Sequence, residues 1–236
     1  MPEVTETPRM TETASAGKTQ PPENLVICEN YHYVRKPVYD FFKRAMDIVC
    51  SLAALIVLLP LLLVTAVLIK LEDGGPVFFT QTRVTRDGQK FPMIKFRSMC
   101  VDAEKKLAAL QAHNEMDGPV FKMVDDPRIT RVGKWIRRLS IDELPQLLNV
   151  LSGEMSVIGP RPPLPKEVAE YSERARHRLD VKGGLSCYWQ CSGRNNISFA
   201  QWVEMDLQYI MDRSIWTDIK IIFRTIVAVL KMDGAE

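Results

Sequence analysis

From Ile48 to Ile69 the chain is an almost unbroken run of apolar residues. As a helix it is long enough to cross a hydrocarbon core of ~30 Å. Pro60 falls near its middle, where a proline removes a backbone hydrogen bond and crowds the preceding turn. The run therefore predicts either a kinked spanning helix or two limbs meeting at a bend, each too short to cross. In the bent form the flanking Lys43, Arg44 and Lys70 all reach one headgroup layer. Upstream, residues 1–24 are rich in Thr, Pro, Glu and Ser and predict a disordered tail. They lack the basic start, apolar core and cleavage site of a signal peptide. Downstream, Val77–Thr85 and Gln89–Met99 are rich in aromatic and β-branched residues and flank Asp87-Gly88, the pattern of a hairpin with a tight turn. Val101–Glu115 suits an exposed helix. From Phe199 to Met232 apolar residues recur at three- and four-residue steps, through Ile215, Ile219, Ile222, Phe223 and Ile226. Trp202, Tyr209 and Trp216 lie among them, and core packing is favoured for all three over a membrane interface.

Candidate chemistry begins on the second hairpin strand, where alternation puts Lys95 and Arg97 on one face. They either straddle a diphosphate or form a solvated face. The segment from Asp125 to Pro163 is denser in unusual features. Ile129, Val132, Ile136 and Leu139 form the apolar stripe of a short helix, which turns Arg128, Arg131, Lys134 and Arg138 outward. Arg137, next to Arg138, lies five residues ahead of the acidic pair Asp142-Glu143 and is a further candidate to act with it. Leu144, Leu147, Leu148 and Leu151 mark the buried side of the next helix, which places that pair at its N-terminus. Two frames fit. Ser140 caps the helix and forms a capping box with Glu143, or Asp142 caps it and leaves Pro145 in the tolerant first turn. The second is favoured. An ionised aspartate there is a competent nucleophile toward phosphorus, and a neighbouring carboxylate suits proton transfer or a divalent cation. The plain alternative is two acids that cap a helix. In Gly159-Pro160-Arg161-Pro162, two prolines fix the backbone around a guanidinium fork suited to phosphate.

The 236 residues allow one catalytic unit with appendages, and a formal charge of +2 speaks against a nucleic-acid partner. Cys28, Cys50, Cys100, Cys187 and Cys191 are too scattered for a disulfide framework or a zinc site, which fits a reducing cytosolic face.

Taken together these stretches resemble the bacterial sugar transferase family, the monotopic phosphoglycosyl transferases that initiate capsule, exopolysaccharide and O-antigen assembly. The similarity runs from Phe41 to Met232 and rests on Lys43-Arg44-x-x-Asp47, Lys95-Phe96-Arg97-Ser98-Met99, Asp126-Pro127-Arg128-Ile129-Thr130, Ser140-Ile141-Asp142-Glu143-Leu144-Pro145-Gln146, Gly159-Pro160-Arg161-Pro162 and Gly193-Arg194-Asn195. The resemblance implies an α/β fold with a small antiparallel sheet and amphipathic interfacial helices. Its parts are a tail over 1–40, a re-entrant anchor over 41–71 and a cytosolic catalytic domain over 72–236. It implies that Asp142 attacks a UDP-sugar, stores the hexose-1-phosphate and releases UMP, while Glu143 assists attack by polyprenyl (undecaprenyl) phosphate. Lys95, Arg97, Arg137, Arg161 and Arg194 would hold diphosphate charge, with Mg2+ as the cofactor at Asp142. Lys43, Arg44, Asp47 and Pro60 would build the anchor, in the bacterial inner membrane. A homodimer is compatible with it. The family breaks its anchor at a Ser-Pro pair; here the pair is Leu59-Pro60, which lacks a hydroxyl to bond the opened backbone. Some members carry a multi-pass region ahead of this domain, whereas this sequence reads as the catalytic unit alone. A non-catalytic anchored protein of a polysaccharide synthesis complex is the alternative, and it leaves Asp142-Glu143 and Arg161 unexplained together.

Overall fold

The computed structural model of the protein describes residues 28, 30–110, 123, 126–189 and 198–231. Helix α1 (Pro37–Asp73) contains the whole apolar run. It starts on a proline, where a missing N–H costs nothing, and stops at Gly74, whose left-handed backbone lets its N–H cap the Lys70 carbonyl. The backbone stays helical through Leu59 and Pro60. Among the described residues α1 is the one helix long and apolar enough to cross a membrane.

Both ends of α1 are nevertheless held by the same body. Near its start, Lys43 pairs with buried Asp218, and Arg44 donates to the carbonyls of Val150 and Leu151. Asp47 accepts from the Ser156 hydroxyl and the Val157 N–H. Near its end, Ile69 packs on Phe96, Ile136 and Ile141, Glu72 accepts from the Val132 N–H, and Asp73 takes the Arg97 guanidinium. Lys43 and Arg44, expected among lipid headgroups, therefore point into the protein, because the anchor needs cations to dock on helix ends and buried acids. Asp47, Ser51, Thr65 and Ile69 are turned inward, while Ile48, Leu52, Val57, Leu63 and Val67 are exposed.

The expected hairpin is present as β1 (Phe78–Val84) and β2 (Lys90–Phe96), antiparallel with Val84 opposite Lys90. Asp87 and Gly88 have φ of 57° and 75°, the left-handed pair that a tight hairpin turn requires. Helix α2 (Ala103–Leu110) lies within the helix expected to Glu115, whose last residues fall outside those described. Helix α3 (Arg131–Arg138) starts later than expected, because the Thr130 hydroxyl accepts the Gly133 N–H and caps it. Ile129 therefore lies ahead of the helix, bridging to Met99, and Arg128 is buried on Asp126 rather than turned outward.

A 3-10 turn (Ile141–Glu143) and α4 (Gln146–Ser152) follow, then β3 (Ser156–Ile158), α5 (Pro165–Ala169), α6 (Glu173–Arg176) and β4 (Gly184–Ser186). β3 and β4 pair in parallel, a second small sheet that the sequence did not suggest. Among the described residues the α/β expectation thus becomes a mostly helical fold with two two-stranded sheets. Helices α7 (Phe199–Asp212) and α8 (Ile215–Lys231) complete it. Trp202 and Tyr209 are in the core as expected, but Trp216 is 64% exposed. The chain breaks at Arg213-Ser214, where the Ser214 hydroxyl accepts the Thr217 N–H, and α8 restarts in a new phase. That phase buries Ile221 and leaves Trp216, Phe223, Ile226 and Val227 on the surface.

Candidate active site

Ser140 supplies the local turn on which the site depends. It adopts left-handed backbone angles (φ 54°, ψ 22°), uncommon for a residue with a side chain, and its side chain makes no cap for the residues that follow. Neither sequence-derived frame holds: the capping box is absent, and α4 begins at Gln146 with Pro145 at its N-cap. Asp142 and Glu143 instead share the short 3-10 turn ahead of α4. Ile141 fixes that turn by inserting into the cluster of Ile69, Phe96 and Ile136. The acidic pair is thereby bound directly to the membrane-type helix.

Glu143 is doubly engaged. Its Oε1 accepts from Lys95 Nζ at 2.9 Å and from Arg161 Nη1 at 3.1 Å. The carboxylate of Asp142, one residue away, forms no hydrogen bond or ion pair with any described residue. One acid is held and its neighbour is available.

Arg161 is presented by a turn anchored on both sides. Gly159 N–H donates to the Ser186 carbonyl and Gly184 N–H to the Pro160 carbonyl, both at 2.9 Å. Two glycines are needed here, since a β-carbon on Gly184 would fall 2.0 Å from the Gly159 nitrogen. On the other side, the Pro163 carbonyl accepts from Val84 N–H and the Pro162 carbonyl from Arg83 Nη1.

Arg83 escaped the sequence reading. Its neighbourhood includes Arg161, Glu143 and Glu167, and its Nε is buried without a partner. The signal was available: alternation puts Arg83 on the same face of the hairpin as Lys95, since it lies opposite Phe91 as Lys95 lies opposite Phe79. Arg97 corrects the expected Lys95-Arg97 clamp. Its guanidinium binds Asp73 through two nitrogens and the Pro76 carbonyl through a third, so it ties the end of α1 to the hairpin. Arg137 lies near Asp142 and favours its charged form. Arg194 lies outside the described residues.

Residues 38–232 match the family model described as Bacterial sugar transferase. The chain belongs to that family. It is 48% identical over 197 residues to the Galactosyl transferase CpsE of Streptococcus agalactiae serotype III, covering 82% of this chain and 43% of that protein. It is 42% identical over 202 residues to the Undecaprenyl-phosphate galactose phosphotransferase of Salmonella typhimurium, covering 83% and 42% respectively. Against the Exopolysaccharide production protein ExoY of Sinorhizobium fredii the identity is 40% over 204 residues, covering 85% of this chain and 90% of that one. The chain thus spans less than half the length of the first two relatives and most of the third.

In this member of the family the two acids have opposite proton affinities. Burial pushes Asp142 up to about 6; Lys95 opposes the rise and the charge of Glu143 adds to it. Burial also raises Glu143, but Lys95 and Arg161 together override that effect and hold it well below the usual carboxylate range. Burial and the neighbouring Arg161 pull Arg83 down to about 10, so it remains cationic at neutral pH.

A nucleophilic Asp142 must be ionised, and its charged form dominates only above its raised value. A transfer that runs through an ionised Asp142 should therefore lose kcat/KM as pH drops below about 6, measured against pH with donor in limiting amount. An acidic limb near 4, the ordinary carboxylate position, would assign the titration to another group.

Among the described residues no cluster of three His, Cys, Asp or Glu side chains forms a cage for a metal ion. A donor available among those residues is the carboxylate of Asp142, which has no partner there. That suits a small hard cation that takes one or two carboxylates and completes its shell with phosphate oxygens and water.

Proposed function

We propose that this sugar transferase moves a hexose-1-phosphate from a UDP-sugar to polyprenyl phosphate, at the cytosolic face of the bacterial inner membrane. The observation that carries this reading is the division of labour between neighbouring acids, with Asp142 free and Glu143 held by Lys95 and Arg161. In the first displacement an Asp142 oxygen attacks the sugar-bearing phosphorus of the donor. The bond to the bridging oxygen breaks and its electron pair leaves with UMP. In the second, an oxygen of polyprenyl phosphate attacks the same phosphorus, forming polyprenyl diphosphosugar and freeing the Asp142 carboxylate. Lys95, Arg161 and Arg83 bind the diphosphate and take up the charge that develops on it. As Lys95 and Arg161 turn to the donor they leave Glu143, whose affinity for a proton then rises, which suits it to assist the acceptor. Asp142 would hold Mg2+, which would supply further neutralisation of diphosphate charge when bound. The relatives named for galactose and undecaprenyl phosphate support the choice of substrates.

Purified protein with Mg2+, UDP-galactose and polyprenyl phosphate should release UMP and form a diphosphate-linked lipid sugar. A protein that binds polysaccharide-assembly partners without chemistry would release none. Sustained UMP production with no acceptor present would point to a hydrolase.

The anchor we read as re-entrant. Lys43, Arg44 and Asp47 on one side of the apolar run, and Ile69, Glu72 and Asp73 on the other, all dock on one catalytic body. A helix of this length spans about 55 Å if straight, so a crossing would carry one set of contacts away from that body. Exposed Trp135 on α3 and the apolar face of α8 suit the same lipid surface. A cysteine introduced in the tail should resist membrane-impermeant labelling in intact cells and label after lysis; labelling from outside would restore the spanning helix.

A further inference from the structure

Beside the turn that presents Arg161 is a cleft of about 180 Å³ whose lining includes none of Asp142, Glu143, Lys95, Arg83 or Arg161. Lys43, Arg44, Arg86, Lys182 and Arg213 are the cations that line it, Arg213 already donating to the Ile210 and Val34 carbonyls, with Asp40 and Asp47 as the acids. Most of these charges already have partners. Lys43 is balanced by Asp218, Arg44 caps the carbonyl end of α4, Asp47 is held by Ser156 and Val157, and Arg86 leans on exposed Asp87.

Lys182 is different: it forms no hydrogen bond or ion pair with any described residue. Its ammonium and the Arg44 guanidinium converge over Gly153, where an added β-carbon would lie 3.8 Å from Lys182 Nζ and 3.5 Å from Arg44 Nη2. Gly153 has φ 87° and ends α4, a left-handed position that favours glycine, and the two cations lie within van der Waals reach of where its β-carbon would be. Burial, Arg44 and Arg86 together press Lys182 below the ordinary lysine range, more than Asp47 and Asp40 restore. Convergent cations in excess of the two acids beside them, Asp40 and Asp47, attract an anion, and tetrahedral oxygens suit several donors at once.

We propose that this cleft is a second anion site, distinct from the acidic pair, that takes a phosphate monoester group. Arg44 holds one rim of the site from α1, and Lys182 provides the free donor. Exposed Val38, Phe41 and Phe42 on the same turns of α1 would place the opening at headgroup level, where a lipid phosphate is at hand. Only that last step rests on the membrane-seated reading; the cleft itself does not depend on the transfer chemistry.

The test is equilibrium binding and thermal unfolding of detergent-purified protein with inorganic phosphate in one arm and phosphatidic acid in mixed micelles in the other. Lys182→Gln should weaken binding about tenfold by removing a charged donor, Lys182→Arg should restore it, and Arg161→Ala should leave it in place. Because Lys182→Gln also relieves like-charge crowding, the ligand-free protein should melt no lower than wild type. Arg86→Gln carries the same test should Lys182→Gln fail to fold. A response confined to phosphatidic acid assigns the site to a headgroup, and one that includes inorganic phosphate assigns it to phosphate in solution. Equal affinity in wild type and Lys182→Gln, or no binding in either arm, overturns the proposal.

Discussion

Asp142→Asn should abolish turnover by roughly 10⁴-fold or more and remove any covalent intermediate, because an amide does not attack phosphorus. In the wild type, Mg2+ and UDP-sugar without acceptor should leave a hexose-phosphate mass on the peptide containing Asp142, with UMP already released. The free carboxylate and the paired neighbour distinguish this residue from an acid that merely caps a helix. Glu143→Gln should keep some adduct while the second step fails, since it weakens the grip on Lys95 and Arg161 without touching Asp142. Intact-protein and peptide mass spectrometry reads both. If the wild type never accumulates an adduct and releases UMP only with acceptor present, direct transfer is the mechanism and Asp142 belongs to the metal.

Arg161→Lys should lower kcat/KM about 100-fold although the charge is kept, because the planar fork and its fixed direction are lost. The structure sharpens this expectation. Arg161 is held by a turn pinned to β4 and to the hairpin, and 3.1 Å from Glu143 it already sits where a diphosphate oxygen would compete for it. A lysine on the same backbone offers a point charge on a flexible stem, which does not reproduce two directed donors. Steady-state kinetics with UDP-galactose checks it, with circular dichroism as the control for folding. Near-normal turnover would remove Arg161 from the phosphate site and leave it as a partner of Glu143 alone.

Local pattern was enough for several features. The Asp87-Gly88 hairpin, the apolar run and the adjacency of Asp142 and Glu143 depend on a few consecutive residues, and each is found where the sequence places it. Alternation along β2 was equally legible, and extended to β1 it also marks Arg83. Charge partners were not legible, because an arginine's role is decided by what arrives from elsewhere in the chain. Arg97 and Lys95 look equivalent in sequence, yet the end of α1 delivers Asp73 to one and the 3-10 turn delivers Glu143 to the other. Arg44 reads as a headgroup cation until α4 brings its unpaired carbonyls within reach.

The sequence alone determined the apolar anchor, the hairpin and the acidic pair, since these follow from periodicity and turn chemistry within short windows. Tertiary structure decided the rest of the site. Packing of Ile141 in one cluster with Ile69 ties the acids to the anchor, and the close backbone crossing at Gly159 and Gly184 helps direct Arg161 onto Glu143. Which of two neighbouring carboxylates stays free is likewise a matter of which cations reach it, and those come from segments far apart along the chain.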